Sequence, residues 1–489
     1  MPVSLDVHLL SGKRVSLEVE EDASVESLKQ RAQSSLEVGR SRLLNSSGEV
    51  LEGTTTIKKA RLQSGDALTL HVKQVQLVAT SRTESFSGAF AAVLADGSVE
   101  TWGHPGYGGD SNAVQKRLKD VQEIQASGRA FAAILGDRTV VTWGAAGFGG
   151  DSSSVEEQLK DVQCIQASHF AFTALRGDGS MVTWGQLVGG DSQLSNAAQE
   201  QRKSVRCIQA ASSAFAAILS DGSVVTWGDP ANGGDSRAVQ EQLMDVQQIQ
   251  SSLGAFAAVL TDGSVVTWGN PVFGGDSRAV QHQLRGVQQI QASTQAFAAI
   301  LVDGSVVTWG DAHFGGESGG VQKQLKDVQQ IQASNGAFAA VLRDKSVVSW
   351  GLPTLGGGSS AAREQLKNVD RIQASSGAFA ALLGDGSVVT WGAAGFGGDS
   401  TAVRKRLRDV RQIQASAQAF AAILGDGSVV TWGNPEHGGD SSAVQEQLKD
   451  VHQIQASNRA FVAILGDGSL VSWGHPESGG DIRAETDRA

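Results

Sequence analysis

The chain has 489 residues, too many for one compact core but well suited to a repeat array plus a small domain. It carries 40 basic and 51 acidic residues, and only ten of each fall in residues 1–80, so the remainder bears the whole net charge of −11. That balance argues against general nucleic-acid binding, which relies on clustered Lys and Arg. No apolar run is long enough to span a membrane, and MPVSLDVHLL lacks the basic start and apolar core of a signal peptide. A soluble intracellular protein, cytoplasmic or nuclear, is expected.

Residues 1–73 form a first domain without repeats. VSLDVHLLSGKRVSLEVE alternates around Ser11-Gly12 and reads as a hairpin. Ser24 to Leu36 reads as a helix with Val25, Leu28 and Ala32 on one face and Asp22 or Ser24 as its cap. RLLNSSGEVLEG and ALTLHV add short strands, and strand, strand, helix, strand, strand is a β-grasp order. Through Leu10-Ser11-Gly12-Lys13, Arg42-Leu43-Leu44, Leu51-Glu52-Gly53 and Leu68-Thr69-Leu70 this stretch resembles ubiquitin. The resemblance implies an interaction surface at Leu10, Leu44 and His71, the last a polar departure, and a ubiquitin-system protein as partner. It does not imply conjugation, because Lys73-Gln74-Val75-Gln76 continues where ubiquitin ends in a free Gly-Gly. An attached β-grasp module without that role is the alternative. So short a junction predicts that this domain is held close to the repeats.

Residues 75–489 are ten copies of one unit, cleanest in Ala419 to Gly433, AFAAILGDGSVVTWG. All ten tryptophans occupy one position of it, 41 residues apart except for 43 between Trp184 and Trp227, with the extra pair in Gln193 to Ser204. AFAAIL is apolar on both faces and so is buried on both. Asp-Gly then SVVTWG completes a hairpin with a primed turn, and the preceding VQQIQAS pairs as a third strand. Val75 to Ser81, VQLVATS, supplies the first copy of that strand. In the GGDSRAVQEQLMDV type of linker, Val239, Leu243 and Val246 share a helical face, with Asp235 or Ser236 as cap, which predicts a short rim helix. The fold expected is mainly β: an N-terminal β-grasp, then a β-propeller of about ten three-stranded blades. A closed ring is preferred to an open superhelix because it leaves no exposed sheet face.

Asp-Gly and Trp-Gly in register, with the Gly-Gly loop, resemble the regulator of chromosome condensation repeat family, and also the propeller domains of HECT-type ubiquitin ligases. The shorter blade is similar to that of the β-lactamase inhibitory relatives. The resemblance implies a propeller. It implies two alternative functions, guanine-nucleotide exchange on a small GTPase or the targeting half of a ubiquitin ligase.

No nucleophile elbow, phosphate loop or spaced histidine ligands are found, so no catalytic residue, metal or cofactor is expected. Gly-Gly-Asp, as at Asp235, is similar to a calcium nonapeptide motif, but copies 41 residues apart cannot share an ion, and a turn is preferred. Trp-Gly-His-Pro recurs at His104 and His475. Cys164 and Cys207 occupy equivalent positions in successive repeats; two buried thiols are preferred to a disulfide or redox pair.

The reading that remains is a monomeric, non-catalytic scaffold that binds a protein. Asp-Gly turns lie at one end of every blade, here the bottom, and are nearly uniform. The top loops differ in every copy. They carry His104, Tyr107, Arg129, Phe148, Phe170, Phe273, Phe314, Phe396, His437 and Arg459 as candidate partner-binding residues.

Overall fold

The computed structural model describes residues 2–9, 13–36, 41–71, 75–80, 87–186 and 205–482. At the N-terminus, β1 (Pro2–His8) and β2 (Arg14–Glu20) pair antiparallel and bury alternate side chains. Helix α1 (Val25–Leu36) turns Val25, Leu28, Ala32 and Leu36 into the same core. Ser24 accepts the Ser27 N–H at 3.1 Å and caps it. β3 (Arg42–Leu44) and β4 (Ala67–His71) complete the order β2-β1-β4-β3, with β1 and β4 parallel, which is a β-grasp.

Ten three-stranded antiparallel sheets follow. The first consists of β5 (Gln76–Ala79), β6 (Ala89–Val93) and β7 (Val99–Gly103). A later one is Val287–Ala292, Ala296–Leu301 and Val306–Gly310. The first strand of each sheet touches the first strand of the next, and the tenth touches β5, so these strands are innermost and the ring closes. Blades pack face to face through the middle strands, whose Ala, Phe and Ile side chains are buried on both faces. Alanine there lets two sheets approach closely.

The ring is stapled at each junction by the Phe–Trp pair. Phe297 and Trp309 stack at 5.3 Å, and the other nine pairs do likewise. Trp309 Nε1 donates to Gly274 O of the preceding blade at 3.0 Å. Trp102 makes the same bond across the closure, to Gly479 O at 3.1 Å. The Gly-Gly loop needs glycine for two reasons. Gly108 has φ +88°, and a Cβ there would lie 2.7 Å from the Phe131 ring of the next blade.

Four local expectations are corrected. The bottom hairpin is not a two-residue primed turn. Gly427 N donates to Leu424 O and Leu424 N to Ser428 O, which gives a three-residue loop with Gly427 left-handed at φ +79°. The rim segment is 3-10, as in Arg237–Gln242, rather than an α-helix. It is confined between a turn at Asp235 and a left-handed Asp245 (φ +57°), which leaves too few residues to nucleate an α-helix. Neither Asp235 nor Ser236 caps it in the helical sense: Ser236 makes no capping bond, and Asp235 accepts the Arg237 N–H at 3.0 Å. In the first blade the strand-ending position is held by Thr80, one residue earlier than the spacing predicts, since Thr80 N donates to Ala89 O as Ser127 N does to Ala130 O.

Val239, Leu243 and Val246 do meet in one inter-blade core. Cys164 and Cys207 are free thiols; Cys164 is half-buried, but Cys207 is exposed, contrary to expectation. The 193–204 insertion lies outside the described residues. Among the described residues no helix is long and apolar enough to cross a membrane.

Candidate functional site

Antiparallel pairing places the loops after the outer strands and before the middle strands at one end of the ring. These top loops are fixed by backbone. Gly128 N donates to His169 O, His169 N to Ser212 O, Ser212 N to Leu253 O, and so on through Ala417 N to Asn458 O. The result is a belt of eight bonds, 2.9–3.1 Å long, linking nine successive blades. The eight bonds run from amide to carbonyl, with one side chain added where Thr294 Oγ1 also donates to Asn335 O at 2.6 Å, so the side chains of the belt can differ.

In seven of the blades the second loop is held from both sides. Its 3-10 turn ends on the residue whose carbonyl accepts from the inner-strand serine. Ser127 Oγ donates to Phe148 O at 2.8 Å, Ser252 to Phe273 O at 2.7 Å and Ser293 to Phe314 O at 2.9 Å. The next residue is the glycine whose carbonyl accepts from the neighbouring tryptophan. The aromatic side chain is thus carried on a backbone pinned to its own blade and to the next.

The expected rim residues fall into three sets. Tyr107, Arg129, Phe148 and Phe170 come together with His104 and His169. The Arg129 guanidinium lies 4.8 Å from the centroids of both Tyr107 and Phe148. Phe148 is 5.2 Å from Phe170 and 5.5 Å from His169. His104 packs edge-on to Tyr107 at 5.0 Å, and its Nδ1 accepts the Gly106 N–H at 3.0 Å. The second set is His437, Arg459, His475 and Glu436. Glu436 accepts from Arg459 at 3.3 Å and lies 3.8 Å from His475 Nε2. His437 is buried. Burial first, and then the Arg459 cation, hold its imidazole down at about 4, so it is neutral at neutral pH. Phe273, Phe314 and Phe396 belong to neither set; each is half-buried against its own inter-blade core.

Ring closure joins the first two sets. Residues 434–478 belong to the last two blades and residues 104–170 to the first three, so five consecutive blades share one arc of aromatic and basic side chains. Glu436, His169 and His475 are members that the candidate set lacked. Their signal was their position in the same variable loops.

On the β-grasp, Arg42 pairs with His71 across the sheet and Leu44 with Thr69, which puts Arg42, Leu44 and His71 on the face opposite the core. Leu44 and His71 are half-exposed, and Leu10 lies outside the described residues. Arg42 is buried at the propeller. Its Nε donates to Asp96 O at 2.7 Å, and its guanidinium pairs with Asp120. This inter-domain clamp was not foreseen, because neither partner is near Arg42 in sequence.

Residues 5–75 match the ubiquitin family. The N-terminal region is ubiquitin-like. No curated protein matches the chain. Among solved structures, Prp20p from Saccharomyces cerevisiae, described with binding to Gsp1p and histones, is 15% identical over 68% of this chain and 80% of its own, at a TM-score of 0.34. The computationally designed Ika8 protein is 16% identical over 64% and 96%, at 0.30. Caldiarchaeum subterraneum ubiquitin is 20% identical over 14% and 91%, at 0.14. Likeness at these scores is no basis for assigning an activity.

Proposed function

We propose that this chain is a non-catalytic protein-interaction scaffold: a propeller beginning near residue 75 that holds a protein partner on its top rim, with a ubiquitin-like domain ahead of it. One observation carries the reading. The bottoms of the blades are nearly identical, whereas the tops present different side chains on a continuous backbone belt. A rigid base with a varied surface suits specific recognition. Aromatic and arginine side chains, of the kind that dominate interface energies, gather in the arc around Tyr107 and Arg129. The ubiquitin-like sheet supports a connection to the ubiquitin system through the face of Leu44 and His71.

The test uses the full chain as bait and compares two variants by quantitative mass spectrometry. One replaces Tyr107, Phe273 and Phe314 by Ala; the other replaces Asp262 and Asp385 in the bottom turns. Partner loss with the first and retention with the second is expected. The opposite pattern, with both variants folded, overturns the placement. Acceleration of nucleotide release from a small GTPase by the chain alone would overturn the scaffold reading in favour of exchange.

A further inference from the structure

A glutamine latch recurs on the rim segments around the ring. Gln240 Nε2 donates to Val224 O at 2.8 Å, and its Oε1 accepts from Ser236 Oγ at 2.9 Å. Gln115, Gln281, Gln322 and Gln445 make the same two bonds with their own strands and serines. Charge on these segments is commonly balanced in place. Lys160 pairs with Glu157, Lys367 with Glu364 and Lys449 with Glu446, each pair three residues apart in sequence and separated by 2.7–3.1 Å.

The segment between the eighth and ninth blades, Asp399 to Asp409, breaks both patterns. Arg404 stands at the latch position, and Lys405 stands where those three segments have the glutamate. Arg404 reaches sideways instead, to Gln365 Oε1 of the preceding segment at 2.8 Å. Lys405 and Arg408 set like charges three residues apart, which repel. With Arg406 and Arg411, residues 404–411 hold five basic residues and one acidic, on a chain of net charge −11. All five cations are exposed, while Leu407, at 1% exposure, and Val410 keep the segment seated between the blades. Among the described residues no ion pair includes Arg404, Lys405, Arg406 or Arg408. The nearby carboxylates are engaged elsewhere. Asp409 packs against Gly425, Asp399 accepts the Thr401 N–H at 2.9 Å, and Glu364 and Glu446 hold their own lysines. In the preceding segment Arg363 also occupies the latch position, and Arg371 donates to Arg411 O at 3.3 Å. Arg363 and Arg371 are exposed too, so the basic surface extends over two junctions.

We propose that this surface docks a short acidic segment of a partner protein. A rim segment that gives up its latch and its internal ion pair loses local stability, and such losses gather where a protein binds something. Guanidinium groups donate paired hydrogen bonds to carboxylates, and three arginines and a lysine within residues 404–408 fit a run of Asp or Glu. The patch is short. Asp385 and Asp426 in the adjoining bottom turns, and Asp440 and Glu446 in the next segment, bound it with negative charge. A long polyanion would run onto those carboxylates, whereas a short acidic peptide stays within the complementary field. The surface lies on the outer edge of the ring, apart from the top rim.

The probe is a fluorescent hexaglutamate peptide, titrated against the full chain by anisotropy. Saturable binding that weakens as salt rises is expected. The triple change Arg404→Gln, Lys405→Glu and Arg406→Gln gives this segment the sequence of Gln445-Glu446-Gln447, which already folds at the next junction. It should weaken binding at least tenfold and raise the melting temperature, because the latch and the ion pair return. Lys116→Gln, Arg117→Gln and Lys119→Gln together, in the first segment, should change binding less than twofold. Replacing Tyr107, Phe273 and Phe314 by Ala should also leave peptide binding intact, so the top-rim reading can fail without touching this one. Absence of binding overturns the proposal, as does a triple variant that binds as tightly as the unaltered chain or melts at a lower temperature. Tighter binding of a short DNA duplex than of the peptide overturns it as well, and identifies nucleic acid as the occupant instead.

Discussion

Trp102 and Trp309 provide a direct test of closure. In each, Phe replaces an indole that is almost wholly buried and donates to a glycine carbonyl, Gly479 O at 3.1 Å or Gly274 O at 3.0 Å. The carbonyl left without its donor costs about 1–3 kcal/mol. The lost ring atoms leave roughly 40 Å³, worth about 1 kcal/mol at ~24 cal/mol per Å³. Each variant should therefore lose about 2–4 kcal/mol. Urea unfolding followed by circular dichroism and by the nine remaining tryptophans reads both. In an open array Trp102 would sit in a terminal repeat with no carbonyl to meet, and its replacement would cost little. A loss below about 1 kcal/mol for Trp102→Phe beside a full loss for Trp309→Phe refutes the closed ring.

Other expectations follow from single contacts. Lys345 occupies the left-handed turn position at φ +61°, where most copies have glycine, so Lys345→Gly should raise stability by up to about 1 kcal/mol despite losing the exposed pair with Asp370; the reverse change at Gly304, whose Cβ would lie 2.8 Å from the Asp327 Cα, should lower the melting temperature. His437 stays neutral in the fold down to about 4 but takes a proton near 6.5 when unfolded; stability should therefore fall as pH drops through that window, by about 1–2 kcal/mol after screening, and His437→Gln should flatten the fall measured by urea titration. Iodoacetamide at pH 8 should alkylate exposed Cys207 before Cys164, whose thiol is pushed up by burial and by Glu123, as peptide mapping would show. Arg42→Ala removes the clamp on Asp96 and Asp120, and nuclear relaxation should then report separate tumbling of the β-grasp.

The repeat unit was readable because its constraints are local and recur ten times. AFAAIL announced burial on both faces, and the tryptophan spacing gave the blade count. What escaped the sequence depended on geometry between residues. VQLVATS matches VQQIQAS letter for letter at its start, yet it sits one residue out of step. The other inner strands spend a residue on a bulge, as between Val121 and Glu123, whereas β5 pairs regularly from Gln76. The rim segment has helical periodicity but too little length between its two turns to form an α-helix. Of the arc from His437 to Phe170 the sequence disclosed only that Trp-Gly-His-Pro at His104 and His475 would be brought to neighbouring blades by a closed ring, because the rest of its halves meet only when the tenth blade reaches the first. Arg42 gave no sign either, since a cation in a short strand discloses nothing about a turn carbonyl 54 residues away.

The backbone belt has a consequence for how such a surface can be altered. Its bonds join amides to carbonyls and ignore what hangs from them, so loop sequences can be exchanged between blades like cassettes. Moving Leu253-Gly254 into the place of His169-Phe170 should leave the belt intact while erasing one end of the aromatic arc. A scaffold of this kind acquires a new specificity by shuffling its own copies, without any new solution to the folding problem.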